Sequence, residues 1–128
     1  MILLDTSVLI DALRTADPRF QQLFTTHGAA VCGVTKAEVL YGARDAADYH
    51  RLDAALANFP NVDFPESLWE RVGQNLFQLR TNGVTVPFQD VVIATLAIAT
   101  NLEVWTRDHH YPHIQRIIRA LKLFQQPP

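Results

Sequence analysis

The sequence predicts an α/β fold with a central parallel sheet and helices on both of its faces. Two observations carry this. Short uncharged apolar runs, at residues 1–4 and 29–34, read as strands buried on both sides, the habit of parallel sheets. Between such runs lie segments with helical apolar spacing, so strands and helices alternate along the chain. The 128 residues fit one domain, residues 1–128, large enough to fold without a disulfide or a structural metal.

Each element has its own signal. Residues 1–4 form an apolar run that ends at Asp5. Residues 7–14 carry Val8, Leu9, Ala12 and Leu13 at helical spacing. Asp17-Pro18 opens the next helix, with Asp as cap and Pro at the first position, and Phe20, Leu23 and Phe24 form its apolar face. Residues 29–34 are the second strand. Thr35 and Glu38 then fit a capping box, opening a helix that reaches about residue 43. Residues 48–56 form another helix, and residues 61–64, bracketed by Pro60 and Pro65, a short strand. Residues 66–81 form a helix ended by Asn82-Gly83. Residues 84–86 read as extended up to Pro87. Residues 89–101 are an alanine-rich apolar helix, and residues 103–106 a strand. Pro112 opens a short helix to about residue 118, residues 121–124 are the last strand, and residues 125–128 a frayed tail.

Composition narrows the function. Hydrophobic residues make up 48% and charged residues 19%, the balance of a folded domain. The formal charge of −2 excludes a protein that coats nucleic acid by bulk charge, while leaving room for a local basic surface. One cysteine, Cys32, forms neither an intrachain disulfide nor a cysteine-rich zinc site, and its apolar setting reads as core. The longest uncharged apolar stretch, residues 91–102, is short of the ~20 residues that span a bilayer. No basic segment precedes the first apolar run, so the expectation is a cytoplasmic protein without membrane association.

In open parallel sheets, ligands bind beyond the carboxyl ends of the strands. Four acids fall there. Asp5 ends the first strand, Asp108 follows the strand at 103–106, and Glu38 and Asp90 lie in first turns of helices. Carboxylates gathered in one place repel, and their stable uses are to bind a hard divalent cation or to share protons. Such a cation polarises a phosphodiester and activates water, so the pattern points to metal-assisted phosphodiester hydrolysis. Taken singly, each acid also has a plain structural role. Glu38 completes a capping box, Asp90 favours a helix N-terminus and Asp108 suits a turn. Asp5 is the hardest to assign that way, because a buried unpaired charge is costly.

Residues 2–11 (ILLDTSVLID), 34–43 (VTKAEVLYGA), 87–97 (PFQDVVIATLA) and 104–108 (VWTRD) together resemble the four motifs of the PIN-domain ribonucleases, in particular the VapC-type toxins of toxin–antitoxin pairs. The resemblance spans nearly the whole chain. It implies a PIN-like three-layer fold and a Mg²⁺- or Mn²⁺-dependent endoribonuclease. It also implies a homodimer, an RNA substrate and a cognate antitoxin protein. Carried over residue by residue, it makes Asp5 and Asp90 direct metal ligands. Glu38 and Asp108 then act through water or a second ion, and Thr6 and Thr106 position an acid or a phosphate. Many relatives carry a further acid three residues beyond Asp108, where this chain has Tyr111. A PIN-like binding module without catalytic activity is the alternative, and the four acids argue against it.

Other residues are assigned plainer roles. Asp11 reads as a capping or salt-bridge residue. Arg44 and Arg107 border the acidic edge, where they either hold RNA phosphate or pair with a carboxylate. His109, His110 and His113 give no zinc site, because the adjacent His109 and His110 should point apart and no cysteine lies nearby; His110 either touches substrate phosphate or, the favoured reading, is a surface or packing residue. Tyr41, Trp69 and Phe77 read as core or dimer contacts. A receiver domain would need neighbouring acids after the first strand, a haloacid-dehalogenase-type phosphatase a second Asp at position 7, and an open nucleotide fold a glycine-rich turn. Thr6 and Ser7 stand there instead.

Overall fold

Leu3 and Val104 face one side of a sheet, while Ile2, Leu4 and Trp105 face the other. This alternation divides the interior into two cores. The computed structural model describes residues 1–15 and 17–126. Four parallel strands, β1 (Ile2–Leu4), β2 (Ala29–Ala30), β3 (Glu103–Trp105) and β4 (Lys122–Leu123), lie in the order β2-β1-β3-β4. Leu3 pairs with Ala30 on one side and Val104 on the other. Helices cover both faces, giving the three-layer α/β architecture expected from the sequence.

One core packs α1 (Thr6–Arg14), α2 (Pro18–His27) and α4 (Ala46–Leu56) against the sheet through Val8, Leu9, Phe20, Leu52 and Leu56. The other packs α5 (Trp69–Thr81), α6 (Phe88–Thr100) and α7 (His110–Ile117) through Val72, Leu79, Ile93, Leu96 and Ile114. Helix α6 is buried all round from Asp90 to Ala97, so its uniformly apolar sequence reflects a central position. Tyr41, Trp69 and Phe77 are exposed and belong to neither core.

Local chemistry sets most boundaries. Asp17 caps α2 by accepting from Arg19 N, and Gly28 ends it at φ +73°. After α5, Gly83 N donates to Arg80 O and Val84 N to Leu79 O, the Schellman pattern, with Gly83 at φ +75°. After α6, Asn101 takes the same place at φ 57°, and Leu102 N donates to Ala97 O.

Several boundaries differ from the sequence expectation. The second strand covers only Ala29–Ala30, because α3 (Gly33–Tyr41) begins at Gly33 with Cys32 as its cap residue. Thr35 does not form a capping box. Its hydroxyl is buried and donates to Leu4 O, and Glu38 accepts from Thr6. Cys32 is buried as expected, at the start of a helix rather than within a strand. Helix α4 begins at Ala46, capped by Asp45, and Asp48 is an internal ion-pair residue. The strand expected at residues 61–64 shrinks to one parallel bridge between Val31 and Asn61. Prolines on either side remove the amides that a longer strand would pair. Residues 84–86 belong to no strand, and a 3-10 turn, Glu66–Leu68, precedes α5. Of the expected frayed tail, residues 125 and 126 lie outside regular structure, while residues 127–128 are outside the described residues.

Candidate active site

The carboxyl ends of β1 and β3 meet the N-terminal turns of α1, α6 and α7 at one edge of the sheet. Asp5 leaves β1 and becomes the N-cap of α1, so one residue ends a strand and starts a helix. It is only 3% exposed. Its Oδ2 accepts from Ser7 Oγ at 2.7 Å and from Thr106 Oγ1 at 2.8 Å, and its Oδ1 accepts from Tyr111 OH at 3.0 Å. Three hydroxyls from three chain segments thus fix one carboxylate in place.

Asp90, 6% exposed, enters from the first turn of α6. Its Oδ1 accepts from Tyr111 OH at 3.5 Å, and its Oδ2 lies 3.0 Å from His110 Nδ1. Burial first, then the neighbouring charge of Asp5, raises its carboxyl to about 6, with a smaller push from Asp108 and a downward pull from His110. Asp108 follows β3. Its backbone N donates to Thr106 Oγ1 at 2.9 Å, and its Oδ1 accepts from His110 N at 3.0 Å. Its Oδ1 also lies 2.9 Å from His110 Nδ1. Thr106 therefore links the loop after β3 to Asp5.

Glu38, on α3, joins less directly. It accepts from Thr6 Oγ1 at 2.7 Å, and Thr6 is the residue after Asp5. The structure thus brings Asp5, Asp90 and Asp108 into one hydrogen-bonded group and ties Glu38 to it through Thr6. Among the described residues, no Lys or Arg side chain pairs with any of these four acids. Buried oxygen donors carrying surplus negative charge suit a hard divalent cation.

Arg107 takes the carboxylate-pairing alternative, away from the four acids. Its guanidinium pairs with Asp11 at 2.6 Å and sits 4.9 Å over the Phe20 ring, and only its backbone N touches the site, donating to Ser7 Oγ at 3.1 Å. This gives Asp11 the salt-bridge role expected of it. Arg44 binds Asp48 through its backbone N at 2.9 Å. One expectation fails here: His109 and His110 do not point apart, because their ring centroids lie 4.4 Å from each other above Asp108.

From the sequence, Ser7 has no site role, His110 is assigned to surface or packing, and Tyr111 is noted only as standing where relatives carry an acid. Tyr111 is fully buried between Asp5 and Asp90, and burial followed by those two charges holds its phenol far above its ordinary value. It therefore stays protonated and donates. The available signal was the His-His-Tyr run directly after Asp108, since the start of α7 must return to the same sheet edge. A recess of about 430 Å³ opens beside the group, lined by Thr106, Asp108, His109, Pro112 and the segment after β4.

The family model for the PIN domain matches residues 2–117. The chain belongs to the PIN domain family. Solved PIN-fold structures agree over almost the full length. The Rickettsia felis VapBC2 structure, bound to a DNA fragment from its promoter, matches with a TM-score of 0.83 at 23% identity, covering 99% of this chain and 100% of that one. DNA-bound VapBC from Salmonella typhimurium gives 0.80 at 21% identity, with 96% of each chain covered. FitAcB from Neisseria gonorrhoeae gives 0.74 at 21% identity, covering 98% and 97%. No curated protein matches by sequence. In this PIN domain, Asp5, Glu38, Asp90 and Asp108 all lie within the matched residues.

Proposed function

We propose that this PIN domain is a Mg²⁺- or Mn²⁺-dependent endoribonuclease and the toxin of a toxin–antitoxin pair. One observation carries the reading: Asp5, Asp90 and Asp108, from distant parts of the chain, converge on the edge where open α/β sheets bind ligands, with no Lys or Arg partner among the described residues. A bound divalent cation supplies Lewis acidity to the phosphodiester and lowers the pKa of an attacking water. Asp5 and Asp90 are its direct ligands, and Asp108 completes the set.

The chain's own residues supply the rest. Ser7, Thr106 and Tyr111 hold the Asp5 carboxylate in one orientation, so little reorganisation is needed when substrate arrives. Glu38, steadied by Thr6, accepts the proton from water as water attacks phosphorus and the P–O bond to the leaving ribose oxygen breaks. The substrate is RNA, and it approaches through the recess lined by Thr106, Asp108, His109 and Pro112.

The toxin assignment draws on the matched VapBC structures, VapBC being a family of toxin–antitoxin systems. It also draws on surface chemistry. Tyr41 is 93% exposed, and Trp69, Phe77 and Phe88 are exposed too. Apolar area of this kind suits an antitoxin protein or a second copy in a homodimer.

The test is cleavage of structured RNA by purified wild type, Asp5→Ala and Asp90→Ala in Mn²⁺, with circular dichroism to verify folding. The expected result is cleavage by wild type and a loss of at least about a hundredfold in each folded variant. Full cleavage by both variants would refute the assignment.

A further inference from the structure

One imidazole stands among the acids. His110 Nδ1 lies 3.0 Å from Asp90 Oδ2 and 2.9 Å from Asp108 Oδ1. The ring nitrogen thus stands close to a carboxylate oxygen of each acid. A neutral histidine has at most one proton at Nδ1, and two carboxylates share it only by bifurcation. A divalent cation satisfies all three groups at once. With bonds of about 2.0–2.1 Å, adjacent ligands in an octahedral shell lie about 2.9 Å apart. The two nitrogen–oxygen separations, 3.0 and 2.9 Å, match that edge.

The ring is also held in place. His110 N donates to Asp108 Oδ1 at 3.0 Å, and the next residue, Tyr111, is buried between Asp5 and Asp90. His109 offers a further nitrogen: one ligand atom each from Asp108, His109 and His110 lie within 4.8 Å of one another.

We infer that His110 is a nitrogen ligand of the cation held by Asp90 and Asp108, and that this donor set selects Mn²⁺ and the later first-row divalent ions over Mg²⁺. The inference rests on the metal-dependent reading above and names the class of metal. Mg²⁺ takes oxygen ligands and holds its waters, whereas imidazole suits transition ions and strengthens along the Irving–Williams order. A role limited to hydrogen bonding would leave selectivity with the carboxylates alone.

The experiment needs no variant at its first step. Wild-type protein labelled with ¹⁵N-histidine is loaded with Mn²⁺ and examined by pulsed electron paramagnetic resonance. The expected result is a nitrogen hyperfine coupling that changes with the isotope. Bound Mn²⁺ without nitrogen coupling would overturn the inference. Calorimetric titration of Mn²⁺ and Mg²⁺ into His110→Ala and His110→Gln follows. Mn²⁺ affinity should fall about tenfold or more while Mg²⁺ affinity changes little. An unchanged Mn²⁺/Mg²⁺ ratio would also overturn it. Asp90→Asn separates the two readings. If that variant loses binding while the His110 variants keep the wild-type ratio, the His110 inference fails alone. If Asp90→Asn binds Mn²⁺ as wild type does, both fail.

Discussion

Asp5 and Asp90 share one phenol. Tyr111 donates toward both, so replacing it with Phe leaves two buried carboxylates facing each other with one donor fewer. Tyr111→Phe should cost the metal-free protein about 1–3 kcal/mol in urea denaturation, with part of the loss recovered in Mn²⁺. Unchanged stability without metal would show that the hydroxyl does not support the pair. Asp90 gives a pH signature. Its carboxyl is raised to about 6, so the folded chain holds this proton more tightly than the unfolded chain does. Below about pH 4 both states are protonated, and this group imposes no penalty. As pH rises from about 4 to 6, the unfolded chain ionises first and the fold loses roughly 3 kcal/mol relative to it. In chelator, the stability of wild type minus that of Asp90→Asn should therefore fall across that window and level off above it. A flat difference would contradict the burial and charge argument. The four acids were legible as residues because each lies beside a strand end or helix start. His110 and Tyr111 were not, because their contacts depend on how α7 docks against α6, which local spacing does not encode.

At the level of elements, tertiary partners override local patterns. The Thr35–Glu38 pair has the spacing of a capping box, but the Leu4 carbonyl takes the Thr35 hydroxyl and Thr6 takes the Glu38 carboxylate. Those bonds tie α3 to β1 and α1, and they turn Glu38 toward the acidic edge. Asp48 shows the same override. It was expected to open a helix, and instead its carboxylate is buried and accepts from Arg14 Nη1 and Nη2, each at 2.8 Å, and from Arg51. The hydrogen bonds from Arg14, then that from the Arg44 backbone, hold this carboxyl far below its usual range. Its contribution is present above about pH 4 and lost as pH falls through the lowered value. Asp48→Asn should lower the urea midpoint at pH 7 and bring the wild-type and variant midpoints together in strong acid. An equal gap at both pH values would remove the ion pair from the link between α1 and α4. The helix ends were the most legible features, since Asn82-Gly83 stops α5 as its sequence suggests. Gly83 has φ +75° and open space where a Cβ would stand, so Gly83→Ala carries only the backbone cost, about 1–2 kcal/mol. A thermal midpoint equal to wild type would show that the turn relaxes.

Over the whole molecule, strand order explains why distant acids meet. β1 and β3 are neighbours in the sheet, so Asp5 and the Thr106–Asp108 segment emerge side by side, and α6 brings Asp90 across the same edge. The alternation of strands and helices made this architecture legible, because a parallel sheet gathers strand ends at one side whatever the exact boundaries. The edge strands were less so: β2 and β4 are two residues each, and the segment at 61–64 forms only a bridge, set by pairing geometry more than by composition. Induced expression of the chain alone should arrest growth if it acts as a toxin, and Asp5→Asn should relieve the arrest at equal protein level. Equal arrest by both would place toxicity elsewhere. The most direct measurement of the metal-dependent reading is a calorimetric titration of Mn²⁺ into wild type and Asp90→Asn, with RNA cleavage assayed on the same samples. Binding and cleavage present in wild type and lost together in the variant are the expected result. A folded wild type that neither binds Mn²⁺ nor cuts RNA would contradict it and leave a PIN domain that works by binding partners.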